Sequence, residues 1–299
     1  MRILTVILVF LASLTQAQAF ETSRITIPHD GQTREALIDM QPGVRNAPVL
    51  IALHGGIAGP NTVRRRANVT LASQGWVVIW PYALGDWNDG RRDGSGRPYD
   101  SADDIGFLRK LIDELSTRGL VDPARVFFAG PSIGGMMVLR ILCEAPDLVA
   151  GAAIAISSLP AGQGCQPGPP VPTLYFHGTA DGIVPPQGGR IGGDSVLVRD
   201  RGRVRPVAET LQILARRNRC SGRSEAALRD RVRDDGSTVT LRRYNGCAAP
   251  LLHYVVNGAG HTWPGSRPFR LGSGLIGETN QDISATRIIQ EFFKGLAGR

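Results

Sequence analysis

The chain has 299 residues, near the upper size of a single α/β core, with 42% hydrophobic and 20% charged residues. This composition excludes wholesale disorder, and the length excludes a disulfide-stapled mini-domain. The 37 glycines and 20 prolines follow no period, which excludes collagen-like and repeat architectures. Basic residues outnumber acidic ones by 34 to 26, and the formal net charge of +8 raises a nucleic-acid or anionic-surface binder as a first alternative.

The N-terminus has the features of a secretory signal peptide. A positive start at Met1-Arg2 precedes an apolar run over 3–14, and Ala17-Gln18-Ala19 provides a small-x-small cleavage site. The apolar run is shorter than the roughly 20 residues that span a bilayer, which argues against a membrane anchor. We therefore expect a signal peptide over 1–19, a mature chain from Phe20 and a secreted protein, extracellular or periplasmic, with no membrane span.

The four cysteines fit an oxidising destination. They are Cys143, Cys165, Cys220 and Cys247, and four cysteines allow three pairings that the sequence alone does not separate. The pairs closest in sequence are Cys143 with Cys165 and Cys220 with Cys247. A metal site is the competing interpretation, but the chain has no C-x-x-C or H-x-x-x-H spacing. We expect structural disulfides and no metal.

Apolar runs and helical stretches alternate after the leader. A hairpin is predicted around the Asp30-Gly31 turn, with strands over 24–28 and 35–40. A buried-type strand over 49–53 and a helix near 63–73 follow. The next predicted elements are a strand over 76–80, a helix over 102–117, a strand over 125–129, a helix over 133–144 and strands over 150–156 and 173–176.

The last third of the chain continues this alternation. Residues 206–217 predict an amphipathic helix, and strands over 238–244 and 251–256 precede a closing helix over 283–296. Strands separated by helices of about ten or more residues favour a mostly parallel central sheet with helices on both faces. We therefore expect the α/β class and one catalytic domain over 20–299.

A G-x-S-x-G motif lies between a predicted strand and a predicted helix. It reads Gly130-Pro131-Ser132-Ile133-Gly134, and this placement is typical of a nucleophile elbow, in which the serine occupies a strained turn. Larger residues two positions either side of the serine would collide with the neighbouring strand and helix. The alternative interpretation is a glycine-rich turn with an exposed serine.

A serine nucleophile in this context needs an acid and then a histidine later in the chain. Only His253 and His261 lie late enough; His253 falls inside an apolar strand, whereas His261 follows that strand in a glycine-rich loop. Asp181 lies in the loop after the strand over 173–176, at the same sheet edge as the elbow. Asp194, Asp200 and Asp282 are weaker rivals for the acid, and a turn-capping role is the alternative for Asp181.

Two backbone N–H groups are candidates for an oxyanion hole. One is that of Ile133, directly after the nucleophile. The other belongs to Gly56 or its neighbour Ile57, in the loop that follows the strand over 49–53. We expect His54 to brace this loop rather than to ionise in catalysis.

Six motifs together resemble the secreted polyhydroxybutyrate depolymerase and feruloyl esterase group of the α/β-hydrolases, over nearly the whole mature chain. They are Leu-His-Gly-Gly (53–56), Trp-Asn-Asp-Gly-Arg (87–91), Asp-Asp-Ile-Gly-Phe (103–107), Gly-Pro-Ser-Ile-Gly-Gly-Met-Met (130–137), His-Gly-Thr-Ala-Asp (177–181) and Gly-His-Thr-Trp-Pro-Gly (260–265). The resemblance implies an α/β-hydrolase fold and a secreted serine esterase that needs no cofactor.

The resemblance also implies roles for individual residues. It makes Ser132 the nucleophile, His261 the base and Asp181 the orienting acid, in agreement with the interpretation of the residues themselves. It suggests that Trp263 and Trp87 wall the substrate cleft, with core packing as the alternative for Trp263. The pairing of Cys220 with Cys247 resembles a late cysteine pair of the group.

The substrate that we expect first is an ester of 3-hydroxyalkanoate oligomers or polymers, cleaved in the manner of a polyhydroxybutyrate depolymerase. The alternative is a feruloyl ester, in which a hydroxycinnamoyl group is attached to plant polysaccharide. A hypothesis of another class is a non-catalytic binding protein on the same fold.

The basic excess is confined to one segment. Residues 190–243 hold 14 arginines against seven acidic residues, and the rest of the mature chain is neutral. The plain interpretation is solvated arginine, including Arg216, Arg217 and Arg219 at the end of a helix. An exported esterase gives no support to a nucleic-acid role, so the remaining hypothesis is weak attraction of residues 190–243 to anionic polymers.

Overall fold

The computed structural model describes residues 19–56, 59–193, 200–268 and 276–298. The predicted signal peptide over 1–19, the alternative oxyanion donor Ile57 and the rival acid Asp194 lie outside these residues, apart from residue 19. Arginine 66 is described by its backbone only. Among the described residues, no helix combines the length and apolar character needed to cross a bilayer.

Ten strands of the described residues form one sheet, and two short strands form a separate hairpin. In chain order the strands are β1 (Glu21–His29), β2 (Gln32–Met40), β3 (Ala47–Ala52), β4 (Val77–Pro81), β5 (Val121–Pro131), β6 (Gly151–Ala155), β7 (Thr173–Gly178), β8 (Gly189–Arg190), β9 (Arg203–Val204), β10 (Gly222–Ala227), β11 (Thr238–Asn245) and β12 (Leu251–Asn257). The order across the sheet is β1-β2-β4-β3-β5-β6-β7-β12-β11-β10, and β8 pairs with β9.

The centre of the sheet is parallel and its two edges are antiparallel. The six adjacent strands β4, β3, β5, β6, β7 and β12 run parallel to one another. Strands β1 and β2 form the predicted antiparallel hairpin, with Asp30 and Gly31 at positive φ in its turn, and β10 and β11 extend the opposite edge. The carboxyl ends of the parallel strands therefore meet at one edge, where ligands bind in open α/β sheets.

Helices cover both faces of this sheet. They are α1 (Pro60–Ala67), α2 (Asp104–Thr117), α3 (Ile133–Glu144), α4 (Val207–Arg217) and α5 (Ala285–Ala297), with short 3₁₀ helices at Leu71–Gln74 and Pro146–Leu148. Because successive strand side chains point to opposite faces, Val49 and Ile51 pack with α2, α3 and α4, whereas Leu50 packs with α5. This two-sided burial makes the fold α/β with helices on both faces, as the sequence predicts.

Three sequence expectations need correction. The single helix near 63–73 is two elements, because α1 ends at Ala67, its capping residue Asn68 is left-handed (φ 48°), and a 3₁₀ turn follows. Strand β10 was not expected, since all six of its side chains are exposed and show no alternation. Arg217 is buried rather than solvated, and its Nε donates to the carbonyl of Pro169 at 3.0 Å.

The four cysteines form two disulfides, each between the pair that is closest in sequence. Cys143 at the end of α3 is joined to Cys165, and Cys220 after α4 is joined to Cys247 between β11 and β12. Each bridge ties the end of a helix to a loop, which limits how far these loops separate in the unfolded chain.

Candidate active site

The serine motif forms a sharp turn between β5 and α3. Ser132 has φ 54° and ψ −126°, a conformation that non-glycine residues adopt only under local constraint. Its N–H donates to the carbonyl of Ala155 at 3.0 Å and its own carbonyl accepts the N–H of Met136 at 2.9 Å. The turn therefore lifts the Ser132 side chain above the carboxyl edge of the sheet.

The glycines on either side of Ser132 permit close backbone contacts. A Cβ on Gly130 would lie 2.5 Å from the carbonyl carbon of Gly134. A Cβ on Gly134 would lie 2.6 Å from the carbonyl oxygen of Leu53 and 2.7 Å from that of His54. These contacts are the physical reason for glycine at both positions, because the strand, the helix and the loop after β3 meet there.

The structure brings Ser132, Asp181 and His261 together, although 129 residues separate the serine from the histidine. His261 Nε2 lies 3.0 Å from Ser132 Oγ, and His261 Nδ1 lies 2.8 Å from Asp181 Oδ2. Because an ionised carboxylate only accepts hydrogen bonds, Nδ1 carries the proton and Nε2 is left as the acceptor for the serine hydroxyl. A hydroxyl, an imidazole and a carboxylate connected in this order can act chemically as nucleophile, general base and orienting acid.

Backbone groups fix the orientation of Asp181. Its Oδ1 accepts the N–H groups of Ile183 at 2.9 Å and Val184 at 2.8 Å, so its Oδ2 is directed to His261. The Asp181 side chain is only 2% exposed and that of His261 is 11% exposed. The carboxylate is therefore held in a largely dry environment with all of its donors supplied by the protein.

The loop that carries His261 is tied to the segment that follows it in the chain. The His261 N–H donates to the carbonyl of Ile276 at 2.5 Å, and the Gly260 N–H donates to that of Glu278 at 3.0 Å. Thr262 adds a side-chain hydrogen bond to the Glu278 carbonyl at 2.9 Å. A glycine-rich loop thus gains a defined position from backbone pairing on both sides of the histidine.

The residues that carry the two candidate oxyanion donors, Gly56 and Ile133, are close neighbours. A Cβ on Gly56 would be 3.4 Å from Ile133 Cδ1, and one on Gly55 would be 3.7 Å from Ser132 Cβ. Ile133 begins α3, so its N–H has no acceptor within the helix and points toward the helix N-terminus. The loop after β3 therefore packs directly against Ser132 and the first residue of α3.

Hydrogen bonds of His54 fix the position of the loop after β3. Its Nδ1 lies 2.9 Å from the carbonyl of Gly55, and its Nε2 accepts the N–H of Ala83 at 3.2 Å. Nδ1 must then be the protonated nitrogen, and burial lowers the pKa of His54 below its usual value. The imidazole is neutral and braces the loop.

Trp87 does not wall a cleft, contrary to the sequence expectation, because its side chain is fully buried. Its Nε1 donates to the carbonyl of His54 at 3.0 Å, and the two rings lie 5.0 Å apart. Trp87 therefore supports the loop that carries Gly56. A fully buried tryptophan with its N–H satisfied cannot contact substrate without local unfolding.

The Trp-Asn-Asp-Gly-Arg motif contains a buried ion pair that sequence reasoning missed. Arg91 Nε donates to both carboxylate oxygens of Asp89 at 2.9 and 2.8 Å, and its Nη2 donates to Asp86 at 3.1 Å. Burial raises the pKa of Asp89 to about 6, despite the opposing charge of Arg91. An i,i+2 charged pair in a loop carries no periodic signal, so its burial was not predictable.

The second tryptophan, Trp263, is half-buried against the apolar cluster that includes α5. Its Nε1 donates to Thr286 Oγ1 at 3.0 Å. These contacts favour core packing over a substrate-facing role. The rival acids are engaged elsewhere: Asp282 accepts the N–H groups of Arg231 and Val232, and Asp200 accepts that of Gly202.

The other late histidine, His253, is buried in the sheet. Its Nε2 lies 2.7 Å from Nδ1 of His177, and the two rings are stacked with centroids 4.8 Å apart. Burial lowers the pKa of His177 to about 4 and that of His253 well below its usual value. The two imidazoles are therefore neutral and packed inside the sheet.

Comparison with known proteins finds esterases. The chain is 29% identical over 282 residues to the putative esterase NocK of Nocardia uniformis subsp. tsuyamanensis, covering 89% of this chain and 80% of that protein. It is 32% identical over 154 residues to feruloyl esterase B of Piromyces equi, a match that spans 49% of this chain and 28% of the relative. No protein-family model matches.

Solved structures share the fold. An acetyl xylan esterase from Aspergillus awamori aligns with a TM-score of 0.59 and 15% identity, covering 92% of this chain and 99% of that one. An S-formylglutathione hydrolase from Agrobacterium tumefaciens aligns with a TM-score of 0.52 and 13% identity, covering 95% and 97%. Identities this low establish a common fold, and that fold is the α/β-hydrolase fold.

Proposed function

We propose that this chain, a carboxylic ester hydrolase of the α/β-hydrolase fold, cleaves its substrates by two-step acyl transfer on Ser132. The observation that carries this proposal is the position of His261, whose two ring nitrogens lie 3.0 Å from Ser132 Oγ and 2.8 Å from Asp181 Oδ2. That geometry supplies a proton acceptor at the nucleophile and an anion behind it.

The first step forms an acyl-enzyme. His261 Nε2 takes the proton of Ser132 as Oγ bonds to the ester carbonyl carbon, and Asp181 stabilises the resulting imidazolium. The N–H groups of Ile133 and Gly56 hold the developing oxyanion; loss of one such donor costs about 3 kcal/mol in barrier height. The imidazolium then gives its proton to the leaving oxygen, and the alcohol departs.

The second step releases the acid. Water enters where the alcohol left, His261 takes its proton, and the hydroxide oxygen bonds to the acyl carbon. Collapse of this second tetrahedral intermediate returns the proton to Ser132 Oγ and frees the carboxylic acid. The protein groups named here suffice for every proton transfer.

Two substrate classes are candidates. The relatives include a protein named feruloyl esterase B and one named bifunctional acetylxylan esterase/xylanase, which favours an acyl group attached to polysaccharide. The motif resemblance supports a second candidate, oligomers of a 3-hydroxyalkanoate. Both are esters of a small acyl group with a secondary or primary alcohol, so the same acyl-transfer mechanism can cleave either.

We also place the mature chain, from Phe20 onward, outside the cytoplasm as one catalytic domain. Two disulfides within the described residues support this location, since such bridges persist in oxidising compartments. Intact-mass measurement of protein recovered from culture medium or periplasm tests it: an N-terminus near Phe20 is expected, and retention of Met1 contradicts the proposal.

A substrate panel tests the proposed activity. Wild type and Ser132→Ala would be assayed on methyl ferulate, acetylated xylo-oligosaccharide, hydroxybutyrate trimer and p-nitrophenyl butyrate. We expect at least one natural-type ester to be cleaved, and Ser132→Ala to lower kcat by about 10⁴-fold or more. If wild type cleaves none of the four esters, the hypothesis of a non-catalytic binding protein is favoured instead. If it cleaves some of them, the ranking of kcat/KM among the esters decides between the two substrate classes.

A further inference from the structure

A charged cavity of about 460 Å³ opens among loops that follow central strands of the sheet. Its wall is formed by three segments, which contribute Arg92 and Asp93, the glycine-containing turn at 161–162, and the β8–β9 hairpin with Arg190, Asp200 and Arg203. These segments follow β4, β6 and β7 respectively, all parallel strands of the sheet centre. The cavity is therefore at the same carboxyl edge as Ser132 and Asp181.

Hydrogen bonds connect the cavity wall to the loop of the orienting acid. The Ile183 N–H donates to Asp181 Oδ1, and the Ile183 carbonyl accepts the N–H of Gly192 at 2.7 Å. Gly192 lies two residues after Arg190, and the Ile191 N–H in turn donates to the Gly202 carbonyl at 3.0 Å. One residue thus joins the triad acid to the β8–β9 hairpin.

The opposite wall is connected to the oxyanion loop. Arg92 directly follows Arg91, which donates to Asp86, and Asp86 Oδ1 would lie 3.7 Å from a Cβ on Gly56. Asp86 thus lies close to both Gly56 and Arg91, the residue that precedes Arg92 of the cavity wall.

Among the described residues that line the cavity, three are arginines and two are aspartates. Within the described ranges, the guanidinium groups of Arg190 and Arg203 have no hydrogen-bond or ion-pair acceptor, and Arg92 donates only to the carbonyl of Gly96. The aspartates are partly satisfied by backbone: Asp93 Oδ1 accepts the N–H groups of Ser95 and Arg97, and Asp200 Oδ1 accepts that of Gly202. Of the described lining residues, those whose charge has no partner are therefore the two arginines Arg190 and Arg203.

We propose that this cavity is a subsite for a carboxylate carried by the ester substrate. The planar guanidinium groups of Arg190 and Arg203 match a carboxylate, and Asp93 and Asp200 can accept hydroxyl groups of the part that bears it. The volume is within the range of small-molecule sites. The inference rests on the proposed esterase function and narrows its substrate to acidic esters.

Both candidate substrate classes include molecules that carry such a carboxylate. An oligomer of 3-hydroxybutyrate ends in one, and acidic polysaccharides carry uronic acids. The subsite also assigns a function to part of the basic excess of residues 190–243, because Arg190 and Arg203 both belong to that segment. It predicts selective recognition of an anionic group rather than diffuse attraction to any anionic polymer.

Binding to Ser132→Ala tests the subsite without requiring turnover. Calorimetry would compare two matched pairs: hydroxybutyrate trimer against its methyl ester, and a xylo-oligosaccharide bearing one glucuronate against the neutral oligosaccharide of equal length. We expect the acid of at least one pair to bind about tenfold more tightly, the effect of roughly one charge-assisted hydrogen bond. The pair that shows the preference identifies the source of the carboxylate; equal affinity within both pairs overturns the proposal.

Arginine variants then locate the preference. In the same background, Arg190→Gln/Arg203→Gln should reduce the acid-to-neutral affinity ratio to near one. The matched control is Arg45→Gln/Arg216→Gln, which removes the same charge from exposed positions outside the cavity and should keep the wild-type ratio. A control that loses the ratio equally would show general electrostatics and overturn the subsite. The single Arg203→Gln, at an exposed residue, provides the same test with a smaller expected loss if the double variant is poorly folded.

The activity panel and the binding experiment together distinguish failure of the carboxylate subsite from failure of the esterase mechanism. If wild type cleaves no ester but Ser132→Ala binds the acids selectively, the esterase mechanism fails and the carboxylate subsite stands. If wild type cleaves neutral and acidic esters with equal kcat/KM and binds them equally, the mechanism stands and the subsite fails.

Discussion

Replacing Asp181 by Asn tests how the triad is oriented, because the structure determines which way the amide must face. The two backbone N–H groups of Ile183 and Val184 point at one carboxylate oxygen, at 2.9 and 2.8 Å. Turning the amide NH₂ toward them would leave two buried donors unsatisfied, at a cost of about 1–3 kcal/mol each. The amide oxygen therefore stays on the backbone, and the NH₂ group faces His261.

This orientation inverts the imidazole tautomer. An NH₂ group at the position of Oδ2 donates to His261 Nδ1, so the ring proton moves to Nε2, which then cannot accept the proton of Ser132. The developing imidazolium also loses its counter-charge. We expect kcat of Asp181→Asn to fall by about 10⁴-fold, with KM within about threefold of wild type because the side chain does not touch substrate.

Steady-state hydrolysis of p-nitrophenyl butyrate, or of the best ester of the panel, measures the effect. The matched control is Asp147→Asn, which removes one carboxylate from an exposed ion pair with Arg109. It should keep wild-type kcat, and both variants should melt within a few degrees of wild type. An Asp181→Asn enzyme with more than about a tenth of wild-type kcat would refute the assigned role of Asp181.

Two further predictions concern the packing around the site and the sheet. Gly134→Ala places a methyl group 2.6 and 2.7 Å from two backbone oxygens of the loop after β3. We therefore expect the free energy of unfolding to fall by about 1–3 kcal/mol and kcat to fall by about 10²-fold. Gly164→Ala, where a Cβ meets no atom within 4 Å, is the control for urea unfolding and kinetics, and equal effects of the two changes would contradict the steric argument. Burial lowers the pKa of His177 to about 4. Its contribution to the free energy of unfolding is therefore full above pH 6.5 and is lost as the pH falls toward 4, because the unfolded chain binds the proton first. This group alone lowers the free energy of unfolding by about 2 kcal/mol between pH 7.5 and 5. His253→Gln removes the second buried imidazole of the pair, so its free energy of unfolding, measured with urea, should change less with pH. An unchanged pH dependence would be inconsistent with two neutral imidazoles.

Much of the site was predictable because its signals are local. The glycines around Ser132 and the placement of the motif between a strand and a helix follow from the backbone geometry of the turn. Asp181 and His261 were found because each lies just after a strand with a clear apolar run. Parallel strands bring such loops to one edge, so chain order and strand position suffice to predict that the three residues meet.

Other features depend on partners distant in sequence. Arg34 donates to Asp104 at 2.6 Å in a fully buried pair whose members are 70 residues apart. Nothing near either residue marks it as buried, since isolated charged residues are usually exposed. Trp87 was misplaced for a similar reason, because only the fold shows that the loop after β3 covers it. Strand β10 lacked alternation, since the edge of the sheet leaves both of its faces exposed.

The central claim is that Ser132 is the acyl-accepting nucleophile activated by His261. Covalent labelling with a fluorophosphonate, followed by intact mass and peptide mapping, tests it directly. We expect one adduct per chain, located on Ser132, with no labelling of Ser132→Ala and labelling of His261→Ala slowed by several orders of magnitude. Labelling of Ser132→Ala at the wild-type rate, or an adduct on another residue, would contradict the account.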